Sequence, residues 1–320
     1  MNSEQEKKEL LELRKKIFIT GYKGGMAHLA SCYSSLEMIY AMYLKGILKY
    51  DTSNPKWQDR DRFILSKGHA GLALYGVMEK AGLISEAIYK SYLTEGSLIG
   101  GEPCMRDSQW VEATTGSLGH GLSMGLGIAM ALKMDNSPAK VYVMLGDGEL
   151  EEGTVWEAIM TAPAFGVDNL IAILDCNNIQ KMDFVEKTIG TPNWADKWKS
   201  FGWNVLETNG HDMEAFKDTI LSENNSGRPR LVIANAAFGM LTASFYSTVA
   251  GMYLPGKYSL IHSFDEISFM KPVFVGDELT VNAEVIDKDE ALKMIRLKII
   301  IKNQDNKKVS RAKMKVLVMK

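Results

Sequence analysis

Apolar positions recur at helical spacing from about Glu4 to Thr20, and again at Leu36, Ile39, Met42, Tyr43 and Ile47. The chain is therefore expected to open with two helices, the second over about Ser35–Leu48. Short runs with the character of buried strands follow: "RFILS" (Arg62–Ser66), "KVYVML" (Lys140–Leu145), "NLIAILDC" (Asn169–Cys176), "WNVLET" and "RLVIAN". Between them lie a loop entering a long helix over Gly116–Met134, the helix "VWEAIMTAPAFG", and the helical "HDMEAFKDTILSE". Strands alternating with helices predict a parallel sheet built from βαβ crossovers. From Ala236 the rhythm changes. One helix-like segment, about Phe238–Tyr253, precedes nothing but strand patterns. "ELTVNAEVI" sets Leu279, Val281, Ala283 and Val285 against polar partners, and "IRLKIIIK" and "RAKMKVLVM" alternate similarly around the turn Asn303–Asn306. The pattern predicts an α/β domain over residues 1–235 and a smaller α+β domain over 236–320. No Ser-, Gly- or Pro-rich linker separates them.

A length of 320 residues accommodates two domains of about 100–200 residues each. Hydrophobic residues at 46% and charged residues at 24% describe an ordinary globular protein, and a formal net charge of −2 argues against general nucleic-acid binding. Only the tail departs from this balance, with eleven Lys/Arg against four Asp/Glu from Asp287 to Lys320. Strand alternation places those cations on a solvent face, where they discourage edge pairing; the competing reading is a phosphate- or CoA-binding stripe. Three cysteines, Cys32, Cys104 and Cys176, are far apart and lack metal-type spacing, which suits buried thiols in a reducing compartment. The first residues form an amphipathic charged helix rather than a signal peptide, and no apolar run approaches the roughly 20 residues that span a bilayer. The expectation is a cytoplasmic protein with no membrane and no nucleic acid among its partners.

The strongest chemical signal is "VYVMLGDGELEEGTVWEA". A strand delivers Gly146-Asp147-Gly148 at its carboxyl end, the edge where open α/β sheets bind ligands. The glycines permit a tight turn, and Asp147 offers a hard oxygen suited to Mg²⁺ shared with phosphates. The next strand ends in "DCNN", with Asn177 thirty positions after Asp147. A carboxylate and an amide oxygen at one sheet edge could hold one metal between them. The glycines of "GSLGHGLSMGLG" invite a dinucleotide fingerprint instead, but that needs a clear strand directly before it and an acidic residue about 20 positions on. "SQWVEAT" is a poor strand, so the nicotinamide reading is set aside.

The GDG and Asn-Asn pairing resembles the cofactor motif of thiamine diphosphate enzymes, and the surroundings resemble the N-terminal, diphosphate-binding part of transketolase. "AHLASCYSSLEMIYAMY", "DRDRFILSKGHAGLALY", "VEATTGSLGHGLSMGLGIAMALK", "GDGELEEGTVWEAIMTA" and "NLIAILDCNN" keep that family's order from about Leu10 to Asn235. The resemblance implies that Asp147 and Asn177 coordinate Mg²⁺, with the carbonyl of Ile179 as a third ligand. It also implies that Gly146 and Gly148 approach the diphosphate of thiamine diphosphate with His69 beside it, and that Gly116, Ser117 and Leu118 line the cofactor. His28 and His69 would be catalytic, His28 facing the sugar, and Glu152 would join an acidic network at a subunit interface. His120, His211 and His262 lack such support; His211 shapes a helix start with Asp212 as its cap. The sequence also departs from the family. Gly101-Glu102-Pro103 stands where Gly-His-Pro is common, Phe184 stands where a Gly is expected, and "RPRLVIAN" runs into Ala236-Ala237-Phe238 instead of a Lys- and Gly-rich loop leading to another His. The second transketolase domain, with the Glu that activates the aminopyrimidine, has no counterpart.

"AFGMLTASFYSTVAGMYLPG" followed by "ISFMKPVFVGDELTVNAEVI" resembles the MaoC-like hot-dog family over about Ala237 to Met319. Gly239-Met240-Leu241 would open its central helix, and Phe269–Val273 with Gly276-Asp277 would form the turn between its strands. The Asp and His that activate water in hydratases precede this helix and have no counterpart here. The fold expected is thus a parallel-sheet thiamine diphosphate-binding domain followed by a partial hot-dog domain. The function expected is a transketolase-type subunit that transfers a two-carbon ketol unit between sugar phosphates, inactive without a separate pyrimidine-domain chain, and a homo-oligomer. The alternatives are a non-catalytic fusion whose halves bind a cofactor or an acyl thioester, and a relative of the hydratases.

Overall fold

The computed structural model describes residues 3–180, 184–189, 193–236, 259–270 and 277–318. It falls into two compact units, Met1–Gly239 and Met240–Lys320. Helices α1 (Ser3–Lys23) and α2 (Leu29–Leu44) open the first, followed by β1 (Arg62–Leu65), α3 (Gly71–Lys80), α4 (Glu86–Lys90), α5 (His120–Met134), β2 (Val141–Gly146), α6 (Gly153–Ala164) and β3 (Leu170–Cys176). Then come α7 (Val185–Thr188), α8 (Trp194–Ser200), β4 (Asn204–Asn209), α9 (Met213–Leu221) and β5 (Arg230–Asn235). The five strands form one parallel sheet in the order β1-β2-β3-β5-β4. The parallel α/β expectation holds.

The central strands are near-continuous apolar runs because helices cover both faces of the sheet. Alternate residues serve the two sides. Phe63, Leu65, Tyr142, Met144, Ile171, Ile173, Val232 and Ala234 join the core beneath α2, α3 and α9. Ile64, Val141, Val143, Leu145, Leu170, Ala172, Leu174, Leu231 and Ile233 join a second core with α5, α6 and α8. By the same alternation Asp175, near the end of β3, faces α2. Helix α2 differs most from expectation: it begins six residues before Ser35 and ends at Leu44, and Gly46 in the left-handed region (φ 74°) follows its end. Ile47 and Leu48 continue the apolar spacing and are buried, but in the loop beyond the helix.

The second unit contains an antiparallel sheet of β6 (Ser259–Phe269), β7 (Thr280–Asp289), β8 (Met294–Lys302) and β9 (Lys308–Val318), in the order β6-β9-β8-β7. Leu297, Ile299, Ile301, Val309, Ala312, Met314 and Val316 bury one face, with Leu279, Val281, Ala283 and Val285 packed against them. The cations of the basic tail alternate with these residues. Arg311 pairs with Glu266 at 2.7 Å, Arg296 with Asp265 at 3.2 Å, and Lys315 with Asp265 at 3.4 Å. They form an ion-paired face. The helix expected over Phe238–Tyr253, with Gly239-Met240-Leu241 at its start, and most of the turn expected at Phe269–Val273 and Gly276 lie outside the described residues. Among those described, no helix is long and apolar enough to cross a membrane, and Cys32, Cys104 and Cys176 are free thiols, the first and last buried.

Candidate functional site

The carboxyl ends of β1, β2 and β3 converge, and each delivers charged groups. Pairing of β2 with β3 sets Gly146 opposite Asp175, so the turn after β2 meets the turn after β3. Asp147, 2% exposed, accepts hydrogen bonds from its neighbour Gly148 N at 2.9 Å and from Asn178 N across the strands at 2.5 Å. Asn177 Oδ1 accepts from Ile179 N at 3.1 Å, and Ile179 bridges Phe184. Asp147 and Asn177, separated by thirty residues in sequence, thus share one edge. Burial, and then the Asp175 carboxylate, push the Asp147 carboxyl up to about 7.

Two residues that sequence reasoning did not single out organise this edge. Glu149, buried just beyond the GDG turn, accepts from Ser66 Oγ after β1, from Gly119 N before α5 at 2.8 Å, and from Gly146 N at 3.1 Å. It ties three segments together at the cost of a carboxyl raised by burial. Asp175, fully buried, pairs with the equally buried Lys67 and accepts from Ser34 Oγ at 2.7 Å and Ser35 Oγ at 3.3 Å on α2. Its Oδ1, like the buried Thr115 Oγ1, has no hydrogen-bond partner among the described residues.

The histidines lie beside this cluster. His69 sits in the turn Gly68–Ala70 after β1, and His28 caps the start of α2; their rings meet edge to face at 5.5 Å between centroids. Burial, the Lys67 ammonium and His28 drive the His69 imidazole down to about 3, so it is neutral at physiological pH. The loop carrying Gly116, Ser117 and Leu118 lies against the same turn: a Cβ on Gly68 would stand 2.7 Å from Gly116 N. Gly116 itself adopts φ 136°, with the Glu102 carboxylate over its open side. Gly148 packs beneath Gln180, where a Cβ would lie 2.8 Å from that side chain. A cavity of about 460 Å³ opens alongside, lined among others by Cys176, Asn178, Phe184, Trp194, Glu207 and Asn235.

The remaining polar residues weighed from the sequence fall elsewhere. His120 Nδ1 faces the carbonyls of Ser117 and Leu118 at 3.2 and 3.1 Å. Asp212 caps α9 as expected, accepting from Glu214 N and Ala215 N, but the His211 ring has a further partner, Glu37 of α2, at 3.3 Å. Glu152 stands exposed at the N-cap of α6, its Cβ lying close beside Gly119.

Comparison with known proteins gives a consistent picture. The profile of the family described as "Transketolase, thiamine diphosphate binding domain" matches residues 20–254, running past the expected boundary at residue 235. The chain is 38% identical over 240 residues to one subunit of the apulose-4-phosphate transketolase of Phocaeicola vulgatus, covering 75% of this chain and 82% of that one. It is 34% identical over 218 residues to a 6-deoxy-6-sulfo-D-fructose transketolase subunit of a Clostridium species, covering 68% and 79%. Among solved structures, the transketolases of Campylobacter jejuni (29% identity, TM-score 0.65, 74% of this chain) and Leishmania mexicana (26%, 0.64, 70%) are similar. The chain spans 38% and 35% of those two transketolases.

Proposed function

Because the chain belongs to the transketolase thiamine diphosphate-binding domain family, we propose that it is the diphosphate-binding subunit of a two-chain transketolase that moves a ketol unit between sugar phosphates. The observation that carries this reading is the junction of Asp147 and Asn177 at one sheet edge, beside a cradle formed by Gly68, Gly116 and Gly148. The residues fit the cofactor: the cradle has room only where side chains are absent, and Asp175 Oδ1 and Thr115 Oγ1 are buried acceptors in need of partners. They also fit Mg²⁺, which takes hard oxygen ligands and shares them with phosphates. Among the described residues no three His, Cys, Asp or Glu side chains converge on a metal. The proposed set needs only one carboxylate, with the Asn177 amide, the Ile179 carbonyl and diphosphate oxygens completing it.

When bound, thiamine diphosphate supplies the nucleophilic carbon and electron sink that sever and remake the carbon–carbon bond. The protein's part is orientation and charge. Asp147 and Asn177 anchor the metal end, Gly146 and Gly148 let backbone approach the diphosphate, and Gly116, Ser117 and Leu118 line the opposite side. Glu149 fixes the spacing between those two sides through its bonds to Gly119 N and Gly146 N. His69 and His28 face the substrate as neutral donors or acceptors, and burial of His69 keeps it from competing as a cation for the diphosphate.

Subunit names among the relatives support a partner chain, here one carrying the pyrimidine-binding domain. The four-stranded antiparallel sheet of the second unit supports a partial hot-dog domain, though it carries no hydratase machinery in the described residues. A coupled assay with xylulose and ribose phosphates tests the proposal. The purified chain should be silent, and a pyrimidine-domain chain should restore turnover. Robust turnover by the chain alone, free of any partner by mass spectrometry, would overturn the two-chain reading.

A further inference from the structure

One carboxylate beside the cradle takes no part in holding the cofactor or the metal. The backbone of Gly101-Glu102-Pro103 is held on several sides. Gly71 at the start of α3 packs so closely that a Cβ there would lie 3.0 Å from Pro103 Cδ and 3.2 Å from Gly101 O. Thr115 N donates to Pro103 O at 3.0 Å, and the Tyr75 hydroxyl, shared with Asp107, lies 3.2 Å from Glu102 O. Met26 covers Gly101. The backbone is thus fixed, while the Glu102 side chain is exposed and lies across the open face of Gly116. No cation pairs with it among the described residues. Gly116 abuts the turn that carries His69, so this lone negative charge stands beside a neutral imidazole, with nothing local to offset it.

We propose that Glu102 is a specificity-determining residue, setting the charge that the site accepts at the reacting end of its substrate: it admits neutral, hydroxyl-bearing ketoses and turns away 2-oxo acids. This rests on the ketol-transfer reading above. A carboxylate only accepts hydrogen bonds, so it rewards hydroxyl donors and penalises a second carboxylate brought close in a cleft that excludes water. Discrimination by a repulsive group is a standard route to specificity. A ketose and hydroxypyruvate offer the same hydroxymethyl ketone. They differ on the far side of the carbonyl, where one carries a neutral hydroxylated carbon and the other a carboxylate.

The test uses the full chain loaded with thiamine diphosphate and Mg²⁺. Ligand-observed NMR titrations compare erythrulose, a neutral four-carbon ketose, with hydroxypyruvate for wild type, Glu102→Gln and Glu102→His, each variant first titrated with thiamine diphosphate. Wild type should prefer erythrulose by at least about tenfold, more at low ionic strength, and both variants should bring the ratio to within about threefold. Cofactor binding with an unchanged ratio in Glu102→Gln would sink the proposal and leave the transketolase reading intact. Failure of wild type to bind thiamine diphosphate would remove that reading and this proposal with it.

Discussion

Replacing Lys67 with Met isolates the buried charge beneath the site. Lys67 is 1% and Asp175 0% exposed, and Asp175 takes its remaining hydrogen bonds from two serine hydroxyls only. Methionine nearly conserves the lysine's volume, so the loss is electrostatic rather than a cavity. Removing one partner of a buried pair typically costs about 3–5 kcal/mol, since the other charge is left without compensation. At roughly 2–4 °C per kcal/mol for a unit of this size, the melting temperature should fall by about 6–20 °C. The double variant Lys67→Met/Asp175→Asn removes both charges while leaving Ser34 and Ser35 an amide oxygen to bond, and should recover most of the loss. Urea unfolding followed by fluorescence of the buried Trp198 and Trp203 measures all three against wild type. A Lys67→Met cost below about 1 kcal/mol, or single-variant costs that simply add in the double variant, would refute a strongly coupled pair.

Other outcomes follow from particular contacts. Gly68→Ala drives a Cβ against the Gly116 and Thr115 backbone, which cannot rotate away; overpacking of about 1–3 kcal/mol should displace the loop and weaken thiamine diphosphate binding tenfold or more with unchanged circular dichroism. Burial opposes charge on both Glu37 and His211, yet their hydrogen bond and mutual attraction, with Arg14 beside Glu37, leave Glu37 lowered and His211 raised. The raised His211 contributes fully below about pH 6.5 and loses its contribution as pH rises through its folded value. The lowered Glu37 contributes fully above about pH 4.5 and loses its contribution as pH falls through its folded value. The stability difference between wild type and His211→Ala should therefore peak between those values at about 1.5 kcal/mol and shrink towards pH 9; a difference that is flat with pH would contradict the ion pair. Ile299→Ala, at a fully buried position in β8, should cost about 2–5 kcal/mol in urea unfolding.

Much of this was legible in the sequence because the parallel sheet is written in short apolar runs, and each of the five strands lies within a residue or so of its expected span. The GDG and Asn-Asn ends were legible because strand register converts a local pattern into a shared edge. Lys67–Asp175 and Glu149 were not, since a pair 108 residues apart leaves no local spacing and a buried carboxylate reads like any surface one. The start of α2 was hidden by its serines, which look like loop but are buried to serve Asp175. Strand β6 was not delimited because register shifts between Ile261 and Ser263 and between Phe264 and Glu266 break its alternation.

Calorimetric titration of the chain with thiamine diphosphate, with and without Mg²⁺, bears most directly on the central claim. The account predicts saturable binding that requires the metal, and a loss of at least tenfold, about 1.4 kcal/mol, in Asp147→Ala. Absence of binding by the folded chain, or equal affinity without Mg²⁺ and in Asp147→Ala, would contradict it.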